Sequence, residues 1–157
     1  MKSLLLAALT LALATPAFSL SCMRPDAVQL YEAARDSDDT FVAVRGRIDL
    51  SEPAQAPEPE TEIPAITKAV MSGYALTQHG FGALFHRKIE IRATCLGPWC
   101  GSADGFKREQ IAMLRVDNNG VYTLMAGPCG GQAMDWTKDG ERRLLDCHRT
   151  GNCVLAE

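Results

Sequence analysis

Histidine is scarce in this chain and scattered. His79, His86 and His148 fall in three separate segments with no His-x-x-x-His or comparable spacing, whereas a zinc site needs three or four convergent ligands. No metal is expected. Basic side chains are too few and too dispersed to track a phosphate backbone: 16 Lys and Arg stand against 19 Asp and Glu, a net charge of −3, with no long Lys/Arg cluster. Nucleic acid is therefore not expected as a partner. The chain also lacks a Gly-x-Ser-x-Gly elbow, a phosphate loop and a dinucleotide fingerprint, so no hydrolase nucleophile and no nucleotide cofactor is expected. Gly127, Gly130 and Gly131 flank Pro128 and Cys129 instead of opening a helix, which reads as a tight turn.

The longest apolar run, Leu4 to Ala14, is broken by Thr10 and followed by Thr15 and Pro16, short of the roughly 20 residues that a membrane span requires. With Lys2 before it and small residues after it, the run marks residues 1–19 as a secretory signal peptide. Cleavage is expected after Ser19, with Ala17 and Ser21 as alternatives. Lipidation at Cys22 is a rival reading, but Ser19 stands where a lipoprotein signal wants Leu. The mature chain, residues 20–157, is expected to be a single monomeric domain in the periplasm or outside the cell, without a membrane span.

What the chain does have is cysteine. All six, Cys22, Cys95, Cys100, Cys129, Cys147 and Cys153, lie in the exported part, and an even number in an oxidising compartment implies three disulfides. Short separations pair Cys95 with Cys100 and Cys147 with Cys153, leaving Cys22 for Cys129. Long-range pairing of Cys95 or Cys100 remains open, as does redox catalysis by those two, because CLGPWC combines paired thiols with Trp and Pro. Dithiol oxidoreductases, however, use Cys-x-x-Cys at a helix N-terminus. Here the spacing is longer and the pair follows a strand.

Periodicity supplies the elements. Pro25 suits a first helical turn, and Val28, Leu30, Tyr31 and Ala34 form an apolar stripe. FVAVRGRIDL alternates over 41–50, with Val42, Val44, Ile48 and Leu50 on one side and Arg45, Arg47 and Asp49 on the other. Residues 51–66, SEPAQAPEPETEIPAI, hold four prolines and four glutamates and read as a mobile loop. A strand is expected through SGYALTQHG. Another covers HRKIEIRATC, residues 86–95, with Ile89, Ile91, Ala93 and Cys95 facing inward. Asn119-Gly120 between two apolar runs signals a hairpin with a primed turn. A closing helix starts with Asp139 as N-cap, carries Leu144 and Leu145 and stops at Gly151. About five strands with few helices predict a mainly β fold, a small five-stranded barrel with short N- and C-terminal helices.

Cys22 followed by a helix, the strand Phe41-Val42-Ala43-Val44-Arg45-Gly46-Arg47-Ile48 and the closing Cys147-His148-Arg149-Thr150 together resemble the netrin-like modules. These belong to the oligonucleotide/oligosaccharide-binding (OB) barrel class, which includes tissue inhibitors of metalloproteinases and small exported bacterial proteins. The closing motif is similar to the Cys-x-Arg-Thr ending of the bacterial members. The resemblance implies the barrel but not protease inhibition. The inhibitors begin with Cys-x-Cys and place the free amine and carbonyl of the first cysteine on the protease zinc; here Ser21 precedes Cys22 and Arg24 stands where the second cysteine would be. Fold carries over more readily than function.

These readings converge on a non-enzymatic, disulfide-stapled module that binds a protein or a cell-envelope component through loops. Its expected contact residues are Trp99 and Trp136, together with Gly130 in the GPCGG loop, because Trp recurs at recognition hot spots. The CLGPWCG and GPCGG loops are expected to form one rigid surface. A thiol-disulfide enzyme using Cys95 and Cys100 and a protease-inhibitor-like protein are the alternatives.

Overall fold

A computed structural model describes Cys22 and residues 25–156; the expected signal peptide and its cleavage site lie outside these residues. The first helix, α1 (Ala27–Arg35), starts later than Pro25 suggested, because Asp26 is the cap: its carboxylate accepts the N–H groups of Val28 and Gln29 at 2.8 and 3.3 Å, satisfying donors that a helix start leaves free. The strand β1 (Thr40–Leu50) keeps the expected alternation, with Val44 and Ile48 buried and Val42 and Leu50 packed beside them.

Strands β2 (Ala65–Thr77) and β3 (Gly80–Ala93) form one long antiparallel hairpin. The strand expected through SGYALTQHG in fact ends at Thr77. The chain reverses at Gln78 and His79, and Gly80 completes the turn at φ 124°, backbone space that favours glycine. The Pro/Glu loop also ends earlier than expected, since Ala65 and Ile66 already pair with Ala93 and Arg92. Its first part is tied down: Gln55 N–H donates to the buried Thr67 hydroxyl at 2.8 Å, and Ala54 packs on the core.

Two residues after β3, Cys95 opens a second, two-stranded ribbon, β4 (Cys95–Leu96) and β5 (Trp99–Cys100). Ile89, Ile91 and Ala93 face the core as expected, but Cys95 is only half-buried, because the strand ends at Ala93 and the chain leaves the barrel there. The hairpin β6 (Gln110–Val116) and β7 (Tyr122–Ala126) follows. Its turn is built differently from the expected primed form. Asp117 accepts the N–H groups of Asn119 and Val121, each at 2.9 Å, and of the Asn-Gly pair only Gly120 takes a positive φ. A short β8 (Ala133–Asp135) adds to β6, and α2 (Lys138–Thr150) closes the domain. Thr137, not Asp139, caps α2 through Gly140 N–H at 3.0 Å, while Gly151 ends it at φ 74°.

The five strands β1, β2, β3, β7 and β6 close into a barrel because β1 pairs with β2 on one side and with β6 on the other. At the crossover, Gly46 lies against Gly73: a Cβ on Gly46 would overlap the Ser72 carbonyl, and one on Gly73 would overlap that of Arg45. Two cores result. Val44, Met71, Ile91, Leu114 and Leu124 fill the barrel, while Ile111 and Met113 point out of it to meet Ala27 and Leu144 of the helices. This is why β6 is buried on both faces. Asp26 joins the second core to the tail, accepting from Arg143 at 2.8 Å and from Ala156 N–H at 3.0 Å. Burial works against its charge, but these partners and the cap amides hold its carboxyl below the usual range.

The Pro/Glu loop thus divides into a tethered and an untethered part. Deleting residues 56–62 is expected to leave urea unfolding cooperative and stability within about 1 kcal/mol, since long surface loops cost little to shorten. Deleting residues 53–62 removes the partner of the buried Thr67 hydroxyl as well and is expected to cost about 1–3 kcal/mol more. Equal midpoints for the two variants would contradict the tether.

Candidate functional site: a cleft between two stapled loops

The site begins with a pairing that a sequence pattern does not show. β3 and β7 run parallel, with Ala93 opposite Ala126, so the segments that follow them leave the barrel side by side. After β3 comes the ribbon β4–β5, in which Cys95 and Cys100 are direct cross-strand partners joined by a disulfide, and Gly97, at φ 58°, and Pro98 make the turn. After β7 comes GPCGG, anchored to the N-terminal segment by the Cys22–Cys129 disulfide. Cys147 and Cys153 form the third bridge, and no described cysteine is free. All three pairs are those expected from the spacing. The Cys22 sulfur that lipidation would use is bonded to Cys129.

Close packing holds the two loops together. Thr94 N–H donates to the Ala126 carbonyl at 3.0 Å, and Gly101 N–H to the Thr94 carbonyl at 2.9 Å. A Cβ on Gly101 would overlap the backbone at Ala126 and Gly127, so only glycine allows this approach. On the other loop, Gln132 straddles Met125: its N–H donates to the Met125 carbonyl at 3.0 Å and its side-chain oxygen accepts Met125 N–H at 3.1 Å.

Between the loops lies an open cleft of about 540 Å³, with Gly101 and Phe106 on one side, Pro25, Pro128 and Gly130 on the other, and Met134 among its lining residues. Gln110, almost wholly buried, borders it and donates to Asp135 at 2.8 Å and to the Arg108 carbonyl at 3.2 Å; Arg108 pairs with Asp135 at 3.4 Å. The cleft offers a largely apolar surface with a polar margin. Such a surface suits an apolar segment, because burying apolar area supplies the binding free energy while a few polar groups set orientation.

The three residues expected to make contacts are dispersed. Gly130 lines the cleft, at φ 105° and against Pro25. Trp99 lies on the stapled ribbon, 38 % exposed and paired with exposed Leu96, outside the cleft lining. Trp136 belongs to the helix-side core: its Nε1–H donates to Glu141 at 2.6 Å, and the Arg45 guanidinium lies 4.5 Å from its ring centroid. Arg45 also binds Glu109 at 2.8 Å and Glu141 at 3.0 Å. Burial works against its charge, but the two carboxylates raise its pKa above the ordinary value. Trp136 is therefore already stacked and hydrogen-bonded within the protein.

Other candidate chemistry resolves into packing. His148 donates Nε2–H to the Thr77 carbonyl at 3.1 Å, and its Nδ1 shares a hydrogen bond with the Tyr31 hydroxyl at 2.8 Å, pinning α2 to α1 and to the β2–β3 turn. His86 meets Ser72 at 2.9 Å. Among the described residues one ligand-like group gathers, Glu32 with Cys147 and Cys153, and both of its sulfurs are in a disulfide. Among the described residues no helix starts beside Cys95 or Cys100; a single 3-10 turn, Ala103–Gly105, follows them.

No family model, curated protein or solved structure matches the chain. Among the described residues no helix is long and apolar enough to cross a membrane, and the three disulfides fit an oxidising compartment.

The two tryptophans are expected to respond differently to truncation. Trp99→Ala should lower the unfolding free energy from urea titration by less than about 1.5 kcal/mol, as for a ring on the surface, whereas Trp136→Ala should cost about 3–5 kcal/mol, both followed by circular dichroism. A Trp99 effect as large as that of Trp136 would make the stapled ribbon part of the core and remove it as a contact surface.

Proposed function

We propose that this protein is an exported, non-enzymatic binding module of the cell envelope, a disulfide-stapled barrel of netrin-like kind that takes an apolar segment of a protein or envelope component into the cleft between CLGPWCG and GPCGG. The observation that carries the reading is the cleft itself. Two loops leave neighbouring parallel strands, each is closed or anchored by a disulfide, and they border an open, largely apolar space. Loops held this way lose little conformational entropy on binding, which favours recognition. Trp99 and Leu96, exposed on the ribbon but outside the cleft lining, offer a separate apolar surface. A thiol-disulfide role for Cys95 and Cys100 draws no comparable support, since among the described residues neither a helix N-terminus nor a free thiol accompanies the pair.

The test uses a position where a side chain can be added without strain. Gly127 lines the cleft, has ordinary backbone geometry and has no atom within 4 Å of a built Cβ, so Gly127→Leu should fold normally and obstruct the space. With a photoreactive phenylalanine derivative at Phe106, irradiation of exporting cells is expected to give adducts of discrete mass that disappear in the Gly127→Leu background. A probe at Asn119 should give none. Adducts that persist in the Gly127→Leu variant, or the absence of any from position 106, would overturn the assignment.

A further inference from the structure

β3 is bordered unequally. It pairs with β2 along its whole length but with β7 only from Ile89 to Ala93, so over residues 80–88 one edge has no strand beside it among the described residues. The polarity of that edge follows from its far end. Thr94 donates its N–H to Ala126, on the β7 side, and backbone groups alternate sides along a strand. The one pairing irregularity, at Ala75/Leu76, faces residues 81–83. Leu84, His86 and Lys88 therefore turn N–H and C=O outward. The His86 carbonyl shows it: the side chain of Arg87 reaches back to it at 3.0 Å.

The edge carries GFGALF over residues 80–85, without charge or proline, and Leu84 is 86 % exposed beside its cross-strand partner Tyr74 at 47 %. Proteins normally blunt such an edge with charge, proline or a bulge, because it templates pairing with another chain. Here the one irregularity falls at residues 81–83, ahead of Leu84, and the charges of His86, Arg87 and Lys88 begin only after Phe85, so Leu84 itself is left unguarded.

We infer that this edge is a homodimer interface, in which β3 pairs antiparallel with β3 of a second copy and Leu84 lies opposite Leu84. The occupant is argued from the register. Centred on Leu84, the pairing exchanges two backbone hydrogen bonds at the dyad and builds one apolar row on a continuous sheet, Tyr74 and Leu84 followed by Leu84 and Tyr74 of the second copy. It also places His86 opposite Gly82, which is exposed and has nothing within 4 Å of a built Cβ, and the pairing stops short of Gly80, which is buried beside Arg149 and Leu145 of α2. Centred two residues later, the same edges would set His86 against His86. A two-fold contact of this kind is self-complementary, and the single strand pair places it in the small, weak class of interfaces.

Sedimentation equilibrium of the mature protein is expected to show a reversible monomer–dimer equilibrium in the high-micromolar range, roughly tenfold or more weaker in Leu84→Arg, whose exposed position leaves the fold intact. Hydrogen exchange read by NMR should show the Leu84 amide slowing as concentration rises, while the Asn119 amide does not change. Three outcomes overturn the inference: a monomer throughout, a dimer unaffected by Leu84→Arg, or a Leu84 amide that ignores concentration. A monomer whose Leu84 amide slows only when an acidic extended peptide is added would overturn it too, and assign the edge to another partner.

Discussion

The barrel exists because β1 hydrogen-bonds in two directions. Ser51 N–H donates to the Lys68 carbonyl, so by alternation Arg45, Arg47 and Asp49 direct their backbone groups to β2, while Val42, Val44 and Gly46 direct theirs to β6. Around residues 44–46 the strand serves both neighbours at once, and at Gly46 and Gly73 the backbones approach closely enough to exclude a Cβ. Closure leaves the small barrel interior to Met71, Ile91, Leu114 and Leu124 and gives β6 an outer apolar face on which both helices rest. The parallel β3–β7 pairing that completes the ring also brings the two loops together.

The disulfides act on what the barrel leaves loose. Cys22–Cys129 spans 107 residues and in the chain-entropy picture contributes about 4–5 kcal/mol, against about 2 for each of the two short loops. Its position matters as much as its magnitude, since it draws Pro25 and the start of α1 against Gly130 and so forms one wall of the cleft. Cys95–Cys100 fixes the ribbon that bears Trp99. Cys147–Cys153 joins the last turn of α2 to the tail, whose Ala156 returns to Asp26.

Much of this was legible in the residues. The alternation of β1 and of Ile89, Ile91 and Ala93, the closing glycine of α2 and the cysteine spacings all report local constraints, and those stand in the structure as expected. The misplacements concern competition between neighbouring signals. Thr137 caps α2 two residues before Asp139, which pairs instead with Arg142 and Arg143, and Asp117 builds the turn that Asn119-Gly120 signalled. Gln78 and His79 resemble strand residues until Gly80 forces the reversal. The site was legible only as two loops: their adjacency depends on a parallel pairing of distant strands, and its lining residues Phe106 and Met134 have no local pattern that separates them from ordinary packing. Trp136 looked like a surface anchor because the sequence does not show Arg45 lying over its ring.

Native-state hydrogen exchange tests the closed barrel most directly. If β1 closes the ring, the amides of Val42 and Val44, directed to β6, will exchange as slowly as those of Arg45 and Arg47, directed to β2, and all four will open only with global unfolding. Exchange of Val42 and Val44 through an opening several kcal/mol cheaper than global unfolding, with Arg45 and Arg47 still protected, would mean that the sheet is open between β1 and β6 and would contradict the account.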